Sequence, residues 1–173
     1  MTTRQEEIRK YFVNIHDNVC NQKYNKNLPY SFHLDMVWEQ AVKFKHLVDI
    51  DSSEVIAGVF GHDSLEDARL TYNDVVDQFN KNVAEIIYLC TEFKGRTRKE
   101  RHPLRYYSEM SVNHIAVFVK LCDVIANVKF SLLTNSSMFS KYKQEYKQWK
   151  PVLYRNDLHE MFEYLDCIFE LKQ

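Results

Sequence analysis

The stretch Val59–Val75, "VFGHDSLEDARLTYNDV", places His62, Asp63, Glu66 and Asp67 directly behind an apolar run. Upstream, "VIAGVF" (55–60) is uninterrupted apolar sequence at helical length, so a helix enters the core and emerges at His62. Read as one helix ending near Ala68, the segment sets His62 and Glu66 four apart, and likewise Asp63 and Asp67, each pair on one face. Carboxylates repel one another and are poorly placed at a helix C-terminus, where the macrodipole is already negative. A compensating positive charge is expected, and a divalent cation would supply it.

The rest of the chain reads the same way. Residues 3–20 carry Ile8, Phe12, Ile15 and Val19 at helical spacing, followed by a polar loop "NQKYNKNLPY" (21–30). "SFHLDMVWEQAVKFKHLV" (31–48) holds the next helical stripe. Asp51 and Ser52 are candidate N-caps of the helix that ends near Ala68, and Thr71-x-x-Asp74 is a capping pattern. "HIAVFVKLC" (114–122) passes for a strand, but its length and the lack of hairpin signals favour a buried helix. Three Gly and three Pro in 173 residues argue against a turn-rich β architecture. The expectation is an all-α bundle of roughly seven to nine helices, as one domain over 1–173.

Composition excludes some functions. The net charge is −1, with no basic tail, so bulk attraction to nucleic acid or an anionic membrane is not implied. No window reaches the roughly 18 apolar residues of a membrane span, and the N-terminus lacks a signal-peptide core. A cytoplasmic location is therefore expected. Cys20, Cys90, Cys122 and Cys167 are isolated in apolar patterns, with no C-x-x-C pair, and read as buried free thiols.

A closed cation site needs ligands beyond His62 and Asp63. Asp123 lies in "VFVKLCDVIANV" (117–128) among apolar neighbours, where a lone carboxylate is costly unless paired or metal-bound. A pairing with Lys120 or Arg155 is the bland alternative. Asn127 follows one turn later. His33, directly after "PYSF", is the other candidate. His33, His62, Asp63 and Asp123 make an N₂O₂ set, which suits Mn, Fe or Zn better than Ca or Mg.

The order His33, His62-Asp63, Asp123 resembles the HD metal-dependent phosphohydrolase superfamily. The fuller match is to its RelA/SpoT-like branch, which includes the small alarmone hydrolases. It is carried by "PYSFH", "HDSLED", "TYNDVVDQF", "CTEFKGRTRKERH" and "VKLCDVIANV". The resemblance implies a helical bundle holding one metal, usually manganese, with Fe, Zn or Mg as alternatives. His33, His62, Asp63 and Asp123 would be its ligands. Glu66 and Asp67 would orient or deprotonate the attacking water, and Asn127 would support the site or contact the substrate ribose. The implied activity is removal of pyrophosphate from the 3′ position of the guanosine alarmone (p)ppGpp. Other nucleotides or phosphoesters, or non-catalytic nucleotide binding, are the competing functions. The loop before "PYSFH" carries only Lys23 and Lys26, where the family has a basic Arg-Lys run. Lys23 and Lys26, with Arg98 and Arg101 of the basic loop, are the candidate phosphate contacts. Tyr24 and Tyr30 flank the expected pocket, where either could stack on a nucleobase. The oligomeric state is not legible.

Overall fold

The computed structural model describes residues 1–171. Its helices are α1 (Thr3–Val13), α2 (Tyr30–Lys43), α3 (Ser53–Gly61), α4 (Ser64–Asp67), α5 (Tyr72–Gln78), α6 (Lys81–Cys90), α7 (Arg98–Arg101), α8 (Leu104–Met110), α9 (His114–Leu133), α10 (Met138–Leu153) and α11 (His159–Glu170). Nine run to seven residues or more, and α4 and α7 are single turns. The only strands among the described residues are β1 (Lys23–Tyr24) and β2 (Leu28–Pro29), a short antiparallel hairpin. The all-α expectation holds.

Side chains close the helix starts. Ser52 caps α3 by accepting from the Glu54 amide, and Thr71 and Asp74 form the reciprocal capping box of α5. Asn113 caps α9 by accepting from the Ala116 amide. Each such cap is worth about 1 kcal/mol.

α3 is the central helix. Val55 through Gly61 are all buried, and the helix packs against α1, α2, α6 and α9. An apolar run with no polar face has no other stable place. α9 lies against α2, α3, α6 and α10, burying Phe118, Leu121 and Ile125 completely. Burying each of these side chains is worth about 1.5–3 kcal/mol. Because α2, α3 and α9 are mutual neighbours, residues at the start of α2, the end of α3 and the middle of α9 meet.

Three local readings need correction. The helix that carries His62 does not run on to Ala68: α3 stops at Gly61, the chain bends at His62–Asp63, and α4 restarts at Ser64. Side chains satisfy the freed carbonyls, since Ser64 Oγ donates to Gly61 O at 2.6 Å and His62 Nδ1 to Val59 O at 2.9 Å. The first helix is not α-helical to residue 20: Asn14–Val19 form a π-helix, with Cys20 N bonded to Ile15 O at 2.9 Å. His16 is buried, while Val19, expected on the apolar stripe, is 68% exposed. The polar loop contains the hairpin, whose turn sets Asn25 and Lys26 in left-handed backbone, φ 46° and 72°. All four cysteines are free; Cys90 and Cys122 are buried and Cys167 is exposed.

Gly61 allows the closest approach. A Cβ there would lie 2.5 Å from Phe12 Cζ and 2.6 Å from Ile87 Cδ1. Gly61→Ala is expected to destabilise the protein by about 1–3 kcal/mol through overpacking, read as a lower urea midpoint. An unchanged or raised midpoint would show that α1 and α6 yield at no cost.

Candidate metal centre

His62 reaches the site from the C-terminus of α3. Its Nδ1–H is committed to the Val59 carbonyl, so in the neutral ring the lone pair sits on Nε2, which points at His33 and Asp63. His33 enters from the first turn of α2, with the Tyr24 ring stacked on it at 4.9 Å and 11°. The two Nε2 atoms stand 3.3 Å apart. Asp63 Oδ2 lies 3.0 Å from His62 Nε2 and 3.7 Å from His33 Nε2, and accepts a hydrogen bond from the Tyr30 hydroxyl. Asp123 Oδ1, from α9, lies 3.4 Å from His33 Nε2 and 3.8 Å from His62 Nε2. Asp123 closes the buried side at 10% exposure and Asp63 the open side at 22%.

The donor chemistry fits a metal ion. Four ligands at about 2.1 Å around one tetrahedral ion stand about 3.4 Å from each other. The His–His and His–Asp separations run from 3.0 to 3.8 Å. His33, His62 and Asp123 are all buried, and their donor atoms lie within 4.8 Å of one another; Asp63 is outside that group and, of its members, approaches only the two histidines. His33 Nδ1 is also buried and has no hydrogen-bond partner. Burial pushes the His33 imidazole down, but Asp123 and Asp63 outweigh it and raise it to about 9. Burial disfavours the Asp63 and Asp123 carboxylates too, yet His62 and His33 hold Asp63, and Lys120 and the two histidines hold Asp123, below the usual range. The pocket is built to hold positive charge.

A second layer orients the ligands. Asn127 Nδ2 donates to Asp123 Oδ1 at 2.5 Å and its Oδ1 accepts from Tyr24 Oη at 2.9 Å. Lys120 Nζ pairs with Asp123 Oδ2 at 3.0 Å. The pairing with Lys120 and the place among the convergent donors therefore coexist. Arg155 takes no part: it bonds Asp157 and the Ser111 carbonyl. Tyr24 and Tyr30, read as base-stacking candidates, are engaged with His33, Asn127 and Asp63.

Glu66 and Asp67 line the same cleft. Glu66 Oε2 accepts from the Glu92 amide at 3.2 Å, and Asp67 Oδ2 accepts from Gln22 Nε2 at 2.7 Å. Burial, then Glu92 and Asp63, raise Glu66 to about 7. Burial and Asp63 raise Asp67, against the hydrogen bond from Gln22.

Of the five expected substrate contacts, Asn127 and Arg98 line the cleft. Arg98 grips Glu145 with two bonds, Nε–Oε1 at 2.6 Å and Nη2–Oε2 at 3.0 Å. Arg101 does not line it; its Nε donates to Glu92 Oε2 at 2.6 Å. Lys23 and Lys26 lie on the exposed hairpin, outside the cleft lining. Glu92, His102, Tyr142 and Glu145 also line it; Glu92 and His102 fall within "CTEFKGRTRKERH", and Tyr142 and Glu145 carried no sequence signal. His102 Nε2 is 2.5 Å from Glu92 Oε1, at ion-pair distance but without hydrogen-bond alignment.

No family model matches the chain. Over 105 residues, 60% of its length, it is 29% identical to the guanosine-3′,5′-bis(diphosphate) 3′-pyrophosphohydrolase MESH1 of Danio rerio. Over 105 residues it is 27% identical to the MESH1 of Xenopus tropicalis. These alignments span 58% and 59% of the two relatives. A solved structure, of a metazoan ortholog of SpoT that hydrolyses ppGpp and plays a role in starvation responses, shares the fold with a TM-score of 0.73. That match covers 99% of this chain and 97% of the other, at 20% identity. The chain is therefore similar in sequence, over part of its length, to two ppGpp pyrophosphohydrolases, and it shares the fold of the metazoan SpoT ortholog.

Proposed function

We propose that the chain is a manganese-dependent pyrophosphohydrolase that removes the 3′ pyrophosphate of (p)ppGpp. The observation that carries this reading is the convergence of two imidazole nitrogens and two carboxylates beside Glu66 and Asp67 in one cleft. The named activity of the two MESH1 relatives supplies the substrate.

His33, His62, Asp63 and Asp123 would hold the ion. A first-row divalent cation supplies Lewis acidity and a lowered pKa for water at neutral pH. Glu66 and Asp67 stand on the rim as bases for the proton of the attacking water. The water oxygen forms the new P–O bond as its proton passes to the carboxylate, the bond from phosphorus to the 3′ oxygen breaks, that oxygen takes up a proton to become the 3′ hydroxyl, and pyrophosphate leaves with GDP (GTP from pppGpp). Lys120 and Asn127 hold Asp123 from both oxygens, which fixes the donor geometry.

Charge decides how such a substrate binds. Asp63, Glu66, Asp67, Glu92, Asp123 and Glu145 line the cleft against Arg98 and Lys120, and each cation is already paired with one of those acids. A polyphosphate entering this wall depends on the bound ion for attraction, so ppGpp binding itself requires metal. The same acidity favours weaker ppGpp use than in a relative with a basic run, and supports a second reading, hydrolysis of a less charged nucleotide or phosphoester. A cytoplasmic place belongs to the same proposal; among the described residues no helix is long and apolar enough to cross a membrane.

Metal-stripped protein is expected to release no pyrophosphate from ppGpp, and added Mn²⁺ to restore release. Asp123→Asn should lose bound metal and turnover together, measured by metal analysis and phosphate assay. Turnover of ppGpp unaffected by chelation would overturn the metal reading. Inert ppGpp with brisk turnover of another phosphoester would replace only the substrate.

Glu66→Gln and Asp67→Asn are expected to keep metal content and melting temperature. Their kcat should fall by about 10²–10⁴-fold, the usual loss of a positioned base. Full turnover in both variants would reduce these carboxylates to surface groups.

A further inference from the structure

His16 is fully buried in the π-helix, its ring stacked on Tyr30 at 4.7 Å and 16°. Its Nδ1 lies 2.5 Å from Gln22 Oε1, and Gln22 Nε2 lies 2.7 Å from Asp67 Oδ2. The polarity of this chain is forced. Only the amide NH₂ can donate to an ionised carboxylate, so Gln22 Oε1 must face His16 and accept. The proton of a neutral His16 then sits on Nδ1. The main chain reinforces the arrangement, with Gln22 N bonded to His16 O at 2.9 Å.

We propose that His16 and Gln22 are positioning residues for Asp67: His16 fixes the Gln22 amide, and Gln22 fixes the carboxylate that faces the attacking water. This rests on the reading of Asp67 as a base in the preceding subsection. Asp67 sits in a single-turn helix at the cleft rim, and Gln22 gives the one side-chain hydrogen bond seen to its carboxylate among the described residues. An unheld carboxylate there would sample several rotamers. Displacement of a reacting group by about 1 Å can cost about 10²-fold in rate.

The structure bears a cost for the arrangement. His16 Nε2 is buried with no hydrogen-bond partner. An unsatisfied buried polar atom costs about 1–3 kcal/mol, which a phenylalanine in the same stack would avoid. Burial lowers the His16 pKa, which keeps the ring neutral, as the relay requires. The ring lies one turn beyond buried Phe12, near the start of the π-helix.

The test has two arms on the full chain. In the kinetic arm, the Mn²⁺-loaded protein is assayed on ppGpp, or on whichever phosphoester the wild type turns over. Gln22→Ala should lower kcat by about 10–100-fold with KM and metal content unchanged. His16→Phe keeps the ring on Tyr30 but removes the donor, and should lose kcat to a similar extent. His16→Asn retains an N–H near the Nδ1 position and should recover most of it. The His16→Phe, Gln22→Ala double variant should be no worse than either single one, and Gln22→Ala should cost little more in an Asp67→Asn background. Unchanged kcat in Gln22→Ala, additive losses, or losses that track metal content would overturn the proposal. In the second arm, ¹⁵N-histidine NMR of Zn²⁺-loaded protein should find His16 as the neutral Nδ1–H tautomer, shifting in Gln22→Ala. An Nε2–H tautomer would overturn it without any turnover. A wild type that hydrolyses no phosphoester would instead sink the catalytic reading of Asp67, while the NMR arm still judges the relay.

Discussion

Two imidazole nitrogens 3.3 Å apart, both turned toward two carboxylates, form the interaction on which the rest of the structure turns. In its neutral form the His62 ring donates from Nδ1 to Val59 O, which leaves the lone pair on Nε2. Lone pairs and negative charges in buried space repel unless a cation joins them. Three helices must therefore meet at one point, and the core explains how they do. α3 carries no polar face and is sheathed by α1, α2, α6 and α9. Gly61, against Phe12 and Ile87, brings its end close enough for His62 to face His33. The first-turn position of His33 in α2 and the mid-helix position of Asp123 in α9 follow from the same packing.

Much of this was legible in the sequence, for identifiable reasons. A fully apolar run ending in His-Asp marks a buried helix that opens at a polar site. Asp123, surrounded by apolar residues, had to find a partner, and found both Lys120 and the histidines. Capping signals at Ser52 and Thr71 were read correctly because the cap is a local interaction. The bend at His62–Asp63 was not legible, since it depends on Ser64 and His62 reaching back to α3 carbonyls. The π-helix was hidden because Ile8, Phe12, Ile15 and Val19 match an α stripe, while the stacking of His16 on Tyr30 is a tertiary contact that spacing does not record.

Charge was the hardest feature to read. A run such as "GRTRKERH" looks like a phosphate grip, but Arg98 and Arg101 are claimed by Glu145 and Glu92, which lie 47 and 9 residues away in sequence. Neutralisation of this kind is invisible to local composition. The result is a cleft walled by carboxylates, with its two cations, Arg98 and Lys120, already paired with Glu145 and Asp123.

The most direct measurement is anomalous diffraction at the manganese edge from crystals grown with Mn²⁺. The geometry predicts one peak at about 2.0–2.3 Å from His33 Nε2, His62 Nε2 and an oxygen each of Asp63 and Asp123. A peak elsewhere, such as among Glu66, Asp67 and Glu92, or no peak at saturating Mn²⁺, would contradict it.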